Sequence, residues 1–213
     1  MNLKTFLQVV DILERKLPKN TPSDILKNSY KRNSYAILMV TLLSLRSKDE
    51  KTALVVKELF NDIQTPQELL KISQEELEEI IKPIGFQRQK AKTLLEVSKT
   101  LVDRFNSTVP QTKDELLSIK GVGEKTANIV LNNAFNQGVI AVDTHVHRLC
   151  NMWGVIKTKD EKESSKVLNE IIPKEYKSKL NYILVSFGQT VCTPKYPKCK
   201  ECEIKELCDN AKV

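Results

Sequence analysis

Residues 114–135 read Asp-Glu-Leu-Leu-Ser-Ile-Lys-Gly-Val-Gly-Glu-Lys-Thr-Ala-Asn-Ile-Val-Leu-Asn-Asn-Ala-Phe. Two helical patterns flank the tripeptide Gly121-Val122-Gly123. Glycine lets a chain reverse within very few residues and lets its backbone N–H groups come close to a ligand. Here those amides open the second helix, and a helix N-terminus attracts anions. Ile119, Ala127 and Val130 stand at packing positions, and Val122 is placed to plug the gap between the two helices. Just upstream, Thr112 with Glu115 three residues on has the arrangement of a capping box.

This is a helix-hairpin-helix pattern, a grip on DNA phosphates that does not depend on base sequence. Outward from it the periodicity stays helical. Leu3, Phe6, Leu7, Val10 and Leu13 repeat at helical spacing, as do Leu54, Val55, Leu59 and Phe60, and Leu94, Leu95, Val97, Leu101 and Val102. Thr21-Pro22-Ser23-Asp24 and Thr65-Pro66 read as helix starts with proline near the first turn. Alternating strand patterns and hairpin dipeptides are missing, so the expectation is an all-α fold of about ten helices. A length of 213 residues allows one or two domains, and 40% apolar content supports a buried core.

The balance of 34 Lys plus Arg against 27 Asp plus Glu leaves a net charge of +7. Such an excess suits a polyphosphate partner, since each neutralised phosphate releases condensed counterions; a merely basic soluble protein would look the same. The most apolar stretch, Ala36 to Leu45, is too short for a membrane span and is interrupted by Thr41 and Ser44. The N-terminus lacks the basic and apolar blocks of a signal peptide, which points to the cytosol.

Lys125 lies two residues after the hairpin, in the first turn of the second helix. It reads as a surface lysine, as a phosphate contact, or as an amine nucleophile whose pKa is lowered by a desolvated, cationic setting. Farther on comes Val142-Asp143-Thr144-His145-Val146-His147-Arg148. Asp143 precedes an apolar helical run, so it reads as an N-cap, and also as the carboxylate partner of Lys125. His145 and His147 have no third ligand near them in the sequence, which leaves them core or surface residues.

Four of the five cysteines, Cys192, Cys199, Cys202 and Cys208, are spaced C-x6-C-x2-C-x5-C near the C-terminus. Nothing marks the chain for export, so a metal site is a better reading than disulfides. Four thiolates suit zinc or an iron–sulfur cluster. Structural zinc sites usually pair cysteines in two short knuckles, and only Cys199 and Cys202 form one here; the uneven spacing favours a larger cluster. Between the first two ligands, the loop Thr-Pro-Lys-Tyr-Pro-Lys is short, basic and stiffened by proline. Cys150, beside Leu149, Met152 and Trp153, reads as a core residue.

Gly-Val-Gly-x-Lys-Thr-Ala, then Val-Asp-Thr-His, then the four-cysteine tail together resemble the endonuclease III family, from about residue 20 to Cys208. The resemblance implies two all-α domains: a six-helix bundle over 22–136 ending in the hairpin, and a cluster domain assembled from 1–21 and 137–213. It implies a 4Fe-4S cluster on the four cysteines. It also implies a monomer acting on double-stranded DNA that contains damaged bases or abasic sites, with the target base flipped out of the duplex. Lys125 matches the nucleophile that attacks C1′ and forms a Schiff base; Asp143 matches the carboxylate that assists base departure and stabilises charge on the sugar. β-Elimination then breaks the strand on the 3′ side.

By the same resemblance Gly121, Val122, Gly123 and Thr126 belong to the DNA grip. Arg46, in Leu-Leu-Ser-Leu-Arg-Ser-Lys-Asp, stands where bacterial members carry the glutamine that fills the hole left by the flipped base. Phe86, in Ile84-Gly85-Phe86, matches an apolar wedge, or is a core phenylalanine. A mismatch glycosylase of the same superfamily would generally lack the lysine, and a non-enzymatic helix-hairpin-helix DNA-binding protein would not need Lys125 and Asp143 together. These are the alternatives.

Overall fold

The computed structural model describes residues 1–29 and 33–211. The chain gathers into two compact units, Asp24–Gln137 and Met1–Ser23 with Gly138–Val213. Twelve α-helices and three short 3-10 turns make up the regular structure of the described residues, with no strand among them. The all-α expectation holds. The helix starts read from sequence fall at Pro22, Pro66 and Lys113.

In the 24–137 unit, helix α3 (Ser34–Ser44) is the centre. It is apolar on every side, and every residue from Tyr35 to Leu43 is buried, as expected of a helix surrounded by others. The Asn33 side chain starts it by accepting from the Ala36 amide at 2.7 Å. Helices α4 (Asp49–Asp62), α7 (Gln87–Phe105) and α9 (Glu124–Phe135) pack against it. Tyr35 Oη and Ser98 Oγ share a hydrogen bond of 2.8 Å between α3 and α7, and burial pushes the phenol pKa up.

Two short helices, α5 (Pro66–Leu69) and α6 (Gln74–Ile80), also lie on α7. Each opens with a full capping box, Thr65 with Glu68 and Ser73 with Glu76. At Thr112, the start of α8 (Lys113–Leu117), the side chain accepts from the Glu115 amide as the sequence implies. Helix α2 (Pro22–Lys27) opens with Thr21 and Ser23 hydrogen-bonded to Ser186 and Gln189.

The other unit is built on α12 (Lys174–Thr190), with α1 (Leu3–Lys16) and α10 (Thr144–Met152) packed against it and α11 (Glu161–Ile171) against α10. Phe6, Trp153 and Phe187 form its aromatic centre, with ring centroids 6.1 and 6.0 Å apart. Cys150 is fully buried there, as a core residue. At the edge, Tyr176 Oη donates to Asp11 at 2.9 Å and Lys179 pairs with Glu14 at 2.6 Å, tying α1 to α12.

Candidate active site

The hairpin turns on one backbone torsion. Gly121 has φ +97°, and a Cβ there would lie 2.8 Å from Thr93 Cγ2 of α7. Both facts demand glycine. Val122 N donates to Ile119 O at 3.0 Å, and the Val122 side chain is buried between the two helices. Gly123 is the N-cap of α9 and supplies no side-chain hydrogen bond, so the first amides of α9 remain open to an external acceptor.

Lys125 sits in that first turn, half-buried, and its amine makes no ion pair or hydrogen bond among the described residues. Thr126 is only 2% exposed and Val122 is buried as well, so their side chains shape the turn, and the Val122 amide is taken by Ile119 O. Exposed Lys120, beside the turn, pairs with Glu96 at 3.7 Å.

In the other unit, Asp143 caps α10. Its Oδ1 accepts from the amides of His145 at 3.0 Å and Val146 at 2.9 Å. One oxygen therefore carries both capping bonds, and Oδ2 has no partner among the described residues. His145 lies against Gly188 of α12, where a Cβ would come within 2.6 Å of the ring. His147 shares a 2.7 Å hydrogen bond with Ser164 in a polar group that includes Asn151 and Thr158. His147 is thus held by its neighbours, whereas His145 Nδ1 is buried with no hydrogen-bond partner among the described residues.

Arg46 and Phe86 converge on one cavity of about 350 Å³ in the 24–137 unit, which Gly121 and Lys90 also line. Arg46 is exposed, and its side chain has no partner among the described residues. Phe86 is 65% exposed, which excludes the core alternative for it. Lys90, also at this cavity, went unread in the sequence: it stands in the basic run Arg88 to Lys92, where solvated charge is the default. Its one signal is spacing, because Lys90, Leu94, Val97 and Leu101 fall on one face of α7. The residue is only 9% exposed, and burial pushes its amine down to about 8.

The four tail cysteines line a second cavity, of about 240 Å³, together with Arg148 and Trp153. Cys192 follows the end of α12, held by its amide on Phe187 O at 2.9 Å, and the loop after it closes through Lys198 N to Val191 O at 2.9 Å. Two 3-10 turns, Cys199–Glu201 and Lys205–Leu207, present Cys199, Cys202 and Cys208. Arg148 Nη2 donates to Cys192 O at 2.6 Å. Among the described residues no three His, Cys, Asp or Glu side chains are grouped closely enough for a single metal ion. The thiols share a cavity without closing on one point.

Burial raises the Cys192 and Cys202 thiols, so holding them as thiolates calls for a cationic centre. The Nε1–H of Trp153, which lines the same cavity, is buried without a partner among the described residues. Four sulfurs and an unused donor fit a sulfur-bridged cluster. No helix among the described residues is long and apolar enough to cross a membrane.

Residues 39–174 match the family described as HhH-GPD superfamily base excision DNA repair protein. Fold and hairpin therefore place the chain in the class of helix-hairpin-helix base excision repair proteins. Endonuclease III of Thermotoga maritima is 39% identical over 201 residues, covering 94% of this chain and 92% of the relative. Among solved structures, a non-covalent endonuclease III–DNA complex superposes with a TM-score of 0.85 at 32% identity, covering 98% of this chain and 95% of that one. A trapped endonuclease III–DNA covalent intermediate gives 0.80 at 32% identity, with 96% of each chain covered. The chain belongs to the endonuclease III family.

Gly121→Ala is expected to cost about 1–3 kcal/mol in urea unfolding, because its left-handed torsion and its contact with Thr93 both penalise a side chain. Gly123→Ala, at φ −95° with open space around it, should cost only about 0.5–1 kcal/mol from the N-cap preference. Equal losses at the two positions would contradict this reading of the turn.

Proposed function

We infer that this base excision repair enzyme, a DNA glycosylase and abasic-site lyase, removes oxidised pyrimidines from duplex DNA and cleaves 3′ to the resulting abasic site. The observation that carries the reading is an unpartnered lysine amine in the first turn of a hairpin helix whose amides are uncapped. The open amides of α9 would bind a phosphate, and the backbone grip would hold Lys125 at a fixed reach from the sugar. Acting as a monomer in the cytoplasm, the enzyme needs no partner subunit for this chemistry.

Lys125 Nζ bonds to C1′ through its lone pair as the glycosidic bond breaks, and the electron pair of that bond leaves with the base, which takes up a proton. The bonded amine gives up a proton, its lone pair expels O4′, which takes up a proton as the sugar ring opens, and a Schiff base joins Nζ to C1′. Loss of a proton from C2′ then expels the 3′ oxygen with its phosphate. Asp143 supplies the negative charge that offsets the positive charge developing on the sugar, through the oxygen its capping bonds leave unused. Arg46 fills the space vacated by the flipped base, and Phe86 enters the stack beside it.

Cys192, Cys199, Cys202 and Cys208 would hold a 4Fe-4S cluster, which supplies structural support and positive charge to the tail when bound. The chemistry on the base requires no electron from it.

Lys125→Ala should abolish strand cleavage at an abasic site while duplex binding is retained. Asp143→Asn separates cap from charge, since asparagine caps a helix about as well as aspartate. It should release thymine glycol about 10²–10³-fold more slowly, with an unchanged melting temperature. Intact cleavage in the first variant, or full activity in the second, would remove the assigned roles. Protein purified without oxygen should contain about four iron and four sulfide per chain. One zinc and no iron would contradict the cluster.

A further inference from the structure

Arg46 and Phe86 both occupy the left-handed backbone region, at φ 56° and 54°. For residues with a Cβ this costs roughly 1–2 kcal/mol each, and such torsions persist only where the surroundings over-determine them. At both places the same side chain is at hand. Lys90 Nζ donates to Leu43 O, at the end of α3, at 2.7 Å, and it donates to Ser47 Oγ. Ser47 Oγ in turn donates to Ile84 O at 2.9 Å. Phe86 itself is the N-cap of α7, and its carbonyl accepts the first helical bond, from Lys90 N at 2.9 Å, so the Phe86 loop leads directly into the helix that carries Lys90.

Leu43 and Ser47 bracket the Arg46 turn; Ile84 and the Phe86 carbonyl bracket the loop that carries Phe86. We propose that Lys90 is a positioning residue that locks the Arg46 turn to the Phe86 loop, so that the two side chains enter the DNA stack as one preformed device. The inference rests on the insertion roles assigned above to those two residues. Lys90 touches no reacting atom: neither Lys125 nor Asp143 lines its cavity.

A lysine is suited to this position. Helix C-termini favour a cation, and the ammonium has enough donors to serve the Leu43 carbonyl and the Ser47 hydroxyl together. Capping α3 alone could be done by a solvated side chain. Burying an amine to the point of lowering its pKa to about 8 is a cost that capping does not require, whereas bridging two loops from beneath does. Rigid insertion matters because a base can be extruded only if its place in the stack is filled, and a small misplacement of the filling groups weakens that step.

The test compares native protein and Lys90→Met on one abasic-site strand, annealed to its complement or left single. Single-stranded DNA has no stack to open, so a positioning role lowers the duplex-to-single-strand ratio of kcat/KM, by roughly tenfold or more. A 2-aminopurine opposite the abasic site should brighten on binding native protein and brighten less with the variant. Ser47→Ala, which removes the acceptor for Lys90 Nζ and the donor to Ile84 but leaves Lys90 on Leu43 O, should move both readouts the same way by less, and it carries the test if Lys90→Met does not fold. In an Arg46→Ala, Phe86→Ala background Lys90→Met should have no further effect on the ratio.

Equal loss on both substrates, or an unchanged ratio with unchanged fluorescence, would make Lys90 a helix cap and overturn the proposal. If native protein cleaves neither substrate, it is the enzymatic reading that fails; the 2-aminopurine comparison still decides whether Lys90 governs insertion.

Discussion

The turn at Gly121 has room for one residue type. Its torsion is left-handed, and the space where a Cβ would go is taken by the methyl group of Thr93. The close approach sets the turn against α7, and α9 beyond it lies along α3, the helix that α4, α7 and α9 all touch. It also brings Val122 into the gap between α8 and α9, where it is buried. With the turn fixed, the direction of the first turn of α9 is fixed too, and with it the origin of the Lys125 side chain. A flexible amine then starts from a rigid base, which is how a long side chain can be aimed without being held by other side chains.

Polar groups in this chain often serve two ends. Asp143 spends one carboxylate oxygen on two amides of α10 and keeps the other unpaired. Lys90 satisfies a helix-end carbonyl and a hydroxyl that itself bonds a second loop. Not every helix start is served by a side chain: α4, α7, α9 and α12 open without a cap of that kind. Side-chain caps stand at α1, α3, α5, α6, α8, α10 and α11, and at α9 the missing cap leaves open the amides next to the hairpin turn. A helix start without a cap is weakly stable on its own, and its open donors suit an anion that arrives with the substrate.

Most of the fold was legible because its signals are local. Apolar residues three and four apart defined α1, α4 and α7, and proline with Thr21, Thr65 and Thr112 marked helix starts where the structure has them. The hairpin and the Asp143 cap were legible for the same reason, since each is complete within a few residues. The grouping of the four cysteines around one cavity could be expected from their short spacings. What stayed hidden depends on distant partners. Lys90 meets Leu43 and Ser47 across 47 and 43 positions, and nothing in a basic run tells a buried lysine from a solvated one. The left-handed torsions at Arg46 and Phe86 were equally unreadable, because neither residue type favours them. Phe86 was ambiguous between wedge and core until its exposure was known, and the unpartnered indole of Trp153 belongs to a residue that reads as ordinary core.

The most direct measurement is to reduce the complex of native protein and abasic-site duplex with borohydride, digest the adduct, and identify the lysine that carries the sugar by peptide mass spectrometry. Label on Lys125 alone is the expected result. Label on Lys90 or any other lysine, or no adduct on a duplex that is bound and cut, would contradict the assignment of the hairpin amine as the nucleophile.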